Sequence, residues 1–222
     1  MSRLVVKVGG SVAHQATAHV RALAADGDEV CVVHGAGPQI SAEMERRGLP
    51  VRFVGGRRVT SPEALEVVRE SMAAVNAAVC AALGPQAIGL MGDEIGLQAT
   101  LVPELGRVGD PVPVSPPALE VALAGGRIPV VAPLAAGPLN VNADEMAAAL
   151  AVGLGATRLV FLTDVPGLLL GGEVVPTIAA DEAEELLEND LLEGGILPKL
   201  HAAVNAARSG VQADLGETAV VA

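Results

Sequence analysis

Six short runs of apolar residues constrain the fold of this chain more than any other feature. The runs are rich in Val, Ile and Leu and occupy residues 4–8, 30–33, 87–91, 128–132, 159–162 and 218–221. Their hydrophobicity is continuous, which is typical of strands covered on both faces of a sheet. Ala-rich helical patterns lie between most of them, and such alternation favours parallel pairing. The sequence therefore predicts one α/β domain over residues 1–222, a doubly wound, open and mainly parallel sheet with helices on both faces.

The clearest helix is predicted to begin after Ser61. Ser61 is a good N-cap, Pro62 suits the first helical position, and apolar residues then recur at three-and-four spacing to about Leu83. Gly84 ends the pattern. Beyond the next apolar run, residues 92–117 carry several prolines, which predict a surface loop or short hairpin.

Composition excludes several classes of protein. With 51% hydrophobic residues, the chain can bury a large core. The net charge of −12 argues against nucleic acid or an anionic membrane as a partner, because both need clustered positive charge. The chain contains no signal-peptide pattern and no apolar run of about 18 residues, so we expect a cytoplasmic protein. Cys31 and Cys80 lack a ligating pattern and are expected to be core thiols.

Lysine is scarce in this chain, and its positions are informative. Of the 14 basic residues, only Lys7 and Lys199 are lysines. Lys7 lies in the first apolar run, just before Gly9 and Gly10, whose missing Cβ atoms let backbone N–H groups approach an anion. A compact ammonium in a chain that otherwise uses arginine indicates a specific need. A strand-end lysine that reaches solvent fits the same pattern.

Ligands of an open parallel sheet bind beyond the carboxyl ends of its strands, so the residues after the other runs matter. Residues 34–37, His-Gly-Ala-Gly, expose N–H groups where a helix begins, which favours an anion, although packing alone also selects such turns. Residues 163–168 form either a binding loop or an ordinary Pro-Gly turn. At residues 194–199, paired glycines precede a helix predicted to start near Pro198. Lys199 in its first turn opposes the helix dipole, and an anionic ligand would explain that.

The segment 140–145, Asn-Val-Asn-Ala-Asp-Glu, opens a helix predicted over residues 143–154. Asn142 and Glu145 resemble a capping box, which is a purely structural explanation. A capping box does not explain why Asn140 and Asp144 are polar. Two amides and a carboxylate at this spacing could instead hold a polar substrate and orient ammonium groups.

Taken in order, six motifs between Leu4 and about Gly210 resemble those of the amino acid kinase family, above all its members that phosphorylate N-acetyl-L-glutamate. They are Lys-x-Gly-Gly-Ser, His-Gly-x-Gly, Gly-x-Arg-Val-Thr, Asn-x-Asn-Ala-Asp, Leu-Thr-Asp-Val-x-Gly-Leu and Gly-Gly-x-x-Pro-Lys. The resemblance implies transfer of the γ-phosphoryl of ATP to the side-chain carboxylate of N-acetyl-L-glutamate, in arginine biosynthesis. It also implies a homodimer, not inhibited by arginine, whose N-terminal part binds the amino acid and whose C-terminal part binds ATP.

The same resemblance assigns roles to individual positions. Lys7 and Lys199 are expected to stabilise the transferring phosphoryl group, with Asp144 orienting both ammonium groups. The residues implied to hold acetylglutamate are Gly35, Ala36, Arg58, Asn140 and Asn142. The residues implied on the nucleotide side are Gly9, Gly10, Asp164, Gly167, Leu168, Gly194, Gly195 and Ile196. No protein metal site is predicted, and Mg²⁺ is expected to be held mainly by phosphates and water.

The chain departs from the family after Gly210, where too few residues remain for the further strand and helix that family members have. Ala36 also stands where a glycine is usual. Two other functions share most of the motifs: a carrier-linked aminoadipate kinase, and an inactive sensor of amino acids or nucleotides. Arg58 favours acetylglutamate over aminoadipate. Retention of both lysines argues against a pure sensor.

Overall fold

The structure, a computed structural model, describes residues 2–9, 13–163, 165–189, 192 and 194–222, except the side chains of residues 13–15. Two predicted nucleotide residues, Gly10 and Asp164, lie outside the described residues. Within the described part of the chain, no helix is both long and apolar enough to cross a bilayer.

Among the residues that the structure describes, eight strands form the central sheet and eight more form four short two-stranded hairpins. The strands are β1 (Arg3–Val8), β2 (Glu29–His34), β3 (Phe53–Val54), β4 (Arg57–Arg58), β5 (Ala87–Met91), β6 (Ala99–Leu101), β7 (Gly109–Pro111), β8 (Ile128–Ala132), β9 (Leu134–Ala135), β10 (Leu139–Asn140), β11 (Arg158–Leu162), β12 (Leu169–Leu170), β13 (Glu173–Val174), β14 (Thr177–Ala179), β15 (Gln212–Leu215) and β16 (Thr218–Val221). The sheet order is β14-β16-β15-β11-β1-β2-β8-β5. Every pairing is parallel except β15 with β16, so the predicted mainly parallel α/β fold is confirmed.

The helices divide between the two faces of this sheet. They are α1 (Ala13–Ala25), α2 (Gly37–Arg46), α3 (Pro62–Leu83), α4 (Pro117–Ala124), α5 (Ala143–Gly153), α6 (Ala180–Glu188) and α7 (Ile196–Arg208). Residues of α1, α2 and α3 pack on one face, and those of α4 to α7 pack on the other. The interior is therefore two apolar layers separated by the sheet, as expected for a doubly wound domain.

The helix predicted after Ser61 is confirmed as α3. The Ser61 hydroxyl accepts a hydrogen bond from the N–H of Ala64 at 3.2 Å, and Gly84 is the C-cap. The proline-rich segment forms the β6–β7 hairpin, as predicted, and also a short 3₁₀ helix, Pro103–Leu105, that was not predicted. The last helix, α7, begins at Ile196, two residues before the predicted start.

The outer strands near the C-terminus differ from expectation. All six apolar runs are strands of the sheet, but β14 and β15 were not predicted, and with them the sheet is eight strands wide. Helices α6 and α7 pack on one face of β14, β15 and β16. The opposite face is polar: Arg158 Nε donates to Asp214 at 2.9 Å, and Gln212 Nε2 donates to the same carboxylate at 2.8 Å. The prediction of helices on both faces therefore holds for the central strands.

Candidate active site

The two lysines of the chain meet on one carboxylate. Lys7 Nζ lies 2.7 Å from Asp144 Oδ1, and Lys199 Nζ lies 3.7 Å from Asp144 Oδ2. Lys7 and Asp144 are both buried, with side chains 7% and 8% exposed. The Lys199 ammonium also donates to the carbonyl of Gly195 at 3.2 Å. The structure thus brings together the three residues predicted to be catalytic.

Local folding places these groups in contact. Side chains alternate along a strand, and Lys7 shares its parity with Val5, which packs in the layer of α4 to α7. Lys7 therefore points towards α5. There, Asn142 is the N-cap, and its amide oxygen accepts from the N–H of Asp144 at 2.8 Å. This cap places Asp144 in the first turn of α5, beside the carboxyl end of β1.

Burial and charge act in opposite directions on the Lys7 ammonium. Burial lowers the pKa of Lys7 below its usual range, and the nearby Lys199 ammonium lowers it further. Asp144 raises the pKa by attraction and hydrogen bonding. Two ammonium groups against one carboxylate leave an excess of positive charge, and this is the arrangement that an anionic reacting group needs.

A cavity of about 250 Å³ opens beside this cluster. Its walls include Lys7, Gly9, Gly35, Ala36, Gly37, Phe53, Gly56, Arg57, Arg58, Asn140, Asn142 and Asp144. The N-terminus of α2 borders it, and such helix ends favour anions. The N–H of Gly35 is already used, since it donates to the carbonyl of Val8 at 3.0 Å. All five residues predicted to hold the amino-acid substrate line this one cavity.

Arg58 is a buried cation that lacks a carboxylate partner among the described residues. It is 6% exposed, and its guanidinium donates to the Gly37 carbonyl at 3.0 Å and to the Ser41 hydroxyl at 2.8 Å. The guanidinium lies 4.6 Å from the centre of the Phe53 ring. Burial lowers the pKa of Arg58. A guanidinium held in this way is suited to pair with the carboxylate of a ligand.

The two predicted amides have structural partners as well as places in the cavity wall. Asn140 Nδ2 donates to the Thr60 hydroxyl at 3.1 Å, and that hydroxyl donates to the carbonyl of Arg58 at 2.8 Å. The oxygen of Asn142 is used by the cap of α5, and its Nδ2 lies 3.5 Å from the carbonyl of Gly56. Both amides therefore support the segments that carry Arg58 and Asp144.

The predicted nucleotide residues are more scattered. Gly9 lines the cavity described above, and Gly194, Gly195 and Ile196 form the entry to α7 beside Lys199. Leu168 is fully buried, and its N–H donates to the Thr218 hydroxyl at 2.8 Å. A Cβ on residue 167 would lie 2.6 Å from the same hydroxyl, so close packing alone explains why Gly167 is a glycine.

Two sets of polar residues beside the site were not predicted. Arg57 Nε lies 2.9 Å from Glu145 Oε1, and Arg57 Nη1 lies 2.5 Å from Asp110 Oδ1. On the other face of the sheet, His34 Nε2 lies 3.1 Å from the Asn76 amide nitrogen, and burial lowers the pKa of His34 to about 4. In the sequence, His34 begins the motif His-Gly-x-Gly and Arg57 is the variable residue of Gly-x-Arg-Val-Thr, and neither motif indicated these contacts.

Comparisons with known proteins place this geometry in context. A model of the amino acid kinase family matches residues 2–214. An acetylglutamate kinase of Rubrobacter xylanophilus is 46% identical, with 96% of this chain and 88% of the relative covered. An acetylglutamate kinase of Solibacter usitatus is 40% identical, with 95% and 88% covered.

Solved structures give the same fold. The protein smu.665 of Streptococcus mutans UA159 matches with a TM-score of 0.89 and 28% identity, covering 99% of this chain and 98% of that one. Carbamate kinase of Giardia lamblia bound to AMP-PNP matches with a TM-score of 0.76 at 14% identity, which shows a common fold, covering 99% and 98%. With two lysines paired on one buried aspartate, a mainly parallel sheet and a family match over most of its length, this chain belongs to the amino acid kinase family.

Proposed function

We propose that this chain is an ATP-dependent kinase that phosphorylates the side-chain carboxylate of N-acetyl-L-glutamate. Relatives of 40% identity and more are acetylglutamate kinases, which supports this substrate over aminoadipate and over a sensor role. The observation that carries the proposal is the pairing of Lys7 and Lys199 with Asp144 beside the cavity that contains Arg58. Arg58 in the cavity wall is a cation for a carboxylate. Lys7, also in the wall, and Lys199, which meets it on Asp144, are two for a phosphoryl group.

The reaction needs no nucleophile from the protein. The acceptor carboxylate is ionised at neutral pH. One of its oxygens forms a bond to the γ-phosphorus of ATP as the bond from phosphorus to ADP breaks, giving an acyl phosphate. Catalysis then rests on positioning and charge stabilisation. We assign that work to Lys7 and Lys199, with Asp144 holding both ammonium groups in place.

The acceptor is proposed to lie between the N-terminus of α2 and the β3–β4 hairpin. Arg58 would pair with the carboxylate that does not react, and Gly35, Ala36, Asn140 and Asn142 would form the walls around the chain of the substrate. The nucleotide would lie towards Gly9, the backbone of Gly167 and Leu168, and the entry to α7 at Gly194, Gly195 and Ile196. We propose that Mg²⁺ arrives on the phosphates, since it prefers phosphate and water oxygens.

A homodimer is proposed as the working form. Helix α3 presents exposed alanines, which permit close approach of a second helix, at Ala73, Ala74, Ala77, Ala78 and Ala81. Strand β5 lies at the edge of the sheet next to α3. Light scattering should give twice the mass of one chain, and Ala77→Arg should give a monomer. A wild-type monomer at micromolar concentration would contradict the proposal. The predicted cytoplasmic location stays a prediction.

The function can be tested by trapping the product. Purified protein is incubated with ATP, Mg²⁺ and an acceptor, and hydroxylamine converts an acyl phosphate into a coloured hydroxamate. We expect product with N-acetyl-L-glutamate and far less with N-acetyl-L-aspartate or an N-acetylated aminoadipate. Asp144→Asn keeps the shape of the side chain but removes its charge, and this matched variant should give far less product. No hydroxamate from N-acetyl-L-glutamate would contradict the proposed function.

A further inference from the structure

Two adjacent arginines on β4 have opposite environments. Arg58 faces α2 and lacks a carboxylate partner among the described residues, whereas Arg57 binds two carboxylates. Arg57 Nε lies 2.9 Å from Glu145 in the first turn of α5, and its Nη1 lies 2.5 Å from Asp110 on β7. Arg57 therefore connects three segments that are distant in sequence: the β3–β4 hairpin, the β6–β7 hairpin and α5.

Arg58 ties the β3–β4 hairpin to α2 through the Gly37 carbonyl and the Ser41 hydroxyl, and on the side that faces α5 the hairpin depends mainly on Arg57. Each of its strands has two residues, and its apolar residues Phe53 and Val54 are 51% and 45% exposed. Its turn residues, Gly55 and Gly56, have φ of 54° and 75°. An isolated ribbon of this size is marginal in water, so contacts to the rest of the domain must hold it. The Asn142 amide adds only a long contact of 3.5 Å to the Gly56 carbonyl.

This hairpin forms one wall of the acceptor cavity. Phe53, Gly56, Arg57 and Arg58 all line it. The position of the Arg58 guanidinium therefore depends on where the hairpin lies. A displaced hairpin would move this guanidinium away from the substrate carboxylate, which weakens binding in the ground state and in the transition state alike.

Glu145 directly follows Asp144, which brings a second acidic side chain close to the lysine pair. Burial raises the pKa of Glu145, Arg57 opposes that rise, and the carboxylates Asp110 and Asp144 add to it. Removal of Arg57 would leave the Glu145 and Asp110 carboxylates facing each other without a cation between them. The hairpin would then lose an attraction, and its two anchors would repel.

We propose that Arg57, Asp110 and Glu145 form an ionic latch that holds the β3–β4 hairpin against α5, so that Arg57 is a positioning residue for the acceptor. This inference rests on the proposed function for its substrate. The latch acts through the location of Arg58 and Phe53, and Arg57 itself makes no bond to the reacting groups.

Steady-state kinetics separate positioning from a general structural role. Arg57→Ala should raise KM for acetylglutamate about tenfold while kcat and KM for ATP stay within about twofold. Arg57→Lys, which keeps the charge, should recover part of the loss. The matched control is Arg52→Ala, which removes an exposed arginine from the same segment and should change nothing. An unchanged KM in Arg57→Ala would overturn the latch.

A double-mutant cycle tests whether the residues act together. If Arg57 and Asp110 belong to one latch, Asp110→Asn should raise KM on its own. In Arg57→Ala it should raise KM no further, because it then removes one of two carboxylates that repel each other. Fully additive effects would show that they act independently and would refute the latch.

A second readout does not need turnover. The chain has no Trp and no Tyr, so Val54→Trp places a single emitter at the tip of the hairpin. Its anisotropy should fall when Arg57→Ala is added, because the hairpin is released, and should not fall with Arg52→Ala. Equal anisotropy in the three proteins would overturn the latch even if acetylglutamate is a substrate. Failure of the wild-type hydroxamate assay, by contrast, would refute the proposed function and leave the anisotropy result to decide the latch.

Discussion

Replacing Arg58 by alanine should weaken acetylglutamate binding far more than it slows the chemical step. In the structure, its guanidinium is 6% exposed and has two oxygen partners, the Gly37 carbonyl and the Ser41 hydroxyl, neither of which is charged. A substrate carboxylate would therefore supply its counter-charge. Truncating one partner of such a desolvated pair costs about 2–4 kcal/mol, and 1.4 kcal/mol is a factor of ten, so kcat/KM should fall by about 30-fold to 1,000-fold.

The loss should appear in KM for acetylglutamate, because the contact exists in the ground state and in the transition state alike. KM for ATP should hardly move. Initial rates at varied concentrations of each substrate provide the test, with Arg52→Ala as the control and Arg57→Ala expected to fall between the two. An Arg58→Ala enzyme with normal KM and lowered kcat would place this guanidinium on the phosphoryl group instead. If both parameters were normal, the substrate carboxylate must be recognised elsewhere.

Three further predictions concern catalysis, acid stability and packing. Lys7→Arg or Lys199→Arg should lower kcat by about a hundredfold or more in a protein of normal circular dichroism, because the bulkier guanidinium displaces the charge from Asp144. His34 has a folded pKa of about 4 against an ordinary 6.5, so the unfolded chain takes the proton first. Stability should be complete above pH 6.5 and fall by up to about 3 kcal/mol as pH drops to 4, a fall that urea titrations should show reduced in His34→Gln. In Gly89→Ala, the new Cβ would lie 2.1 Å from the Asn76 amide oxygen, so unfolding free energy should drop by about 1–3 kcal/mol; an unchanged urea midpoint would contradict this.

The hydrophobic pattern of the sequence was enough to predict the central strands and helix α3. The central strands are covered by helices on each side, so their hydrophobicity is continuous, and α3 has a cap and a stop at the positions where such signals are strongest. Strand β15 was missed for the converse reason. Gln212 and Asp214 lie on the polar face of the sheet, so only alternate residues of this strand are apolar, and a search for continuous runs passes over it.

The sequence predicted those residues of the candidate site that belong to recognisable motifs. Lysine scarcity pointed to Lys7 and Lys199, and resemblance assigned Asp144 to them. The partners of Arg57 could not be predicted, because its contact with Glu145 joins residues 88 positions apart and depends on how the hairpins fold back. The motif Gly-x-Arg-Val-Thr singled out Arg58, but it said nothing about Arg57, which occupies its variable position. Their environments differ because adjacent residues of a strand point to opposite sides.

Because both lysines of the chain meet on Asp144, a reagent that modifies lysine amines labels this site selectively. Reductive methylation with ¹³C-formaldehyde would label these two side chains and, besides them, the α-amino group at the start of the chain. Each dimethylamine gives a resolved NMR signal whose shift follows its protonation state. Titration would report the pKa of the buried Lys7 amine directly, and addition of a nucleotide or an acceptor would show which amine each one meets. A protein of 222 residues thereby offers the two lysines proposed to bind the phosphoryl group as separate spectroscopic probes, with no mutation and no other lysine to obscure them.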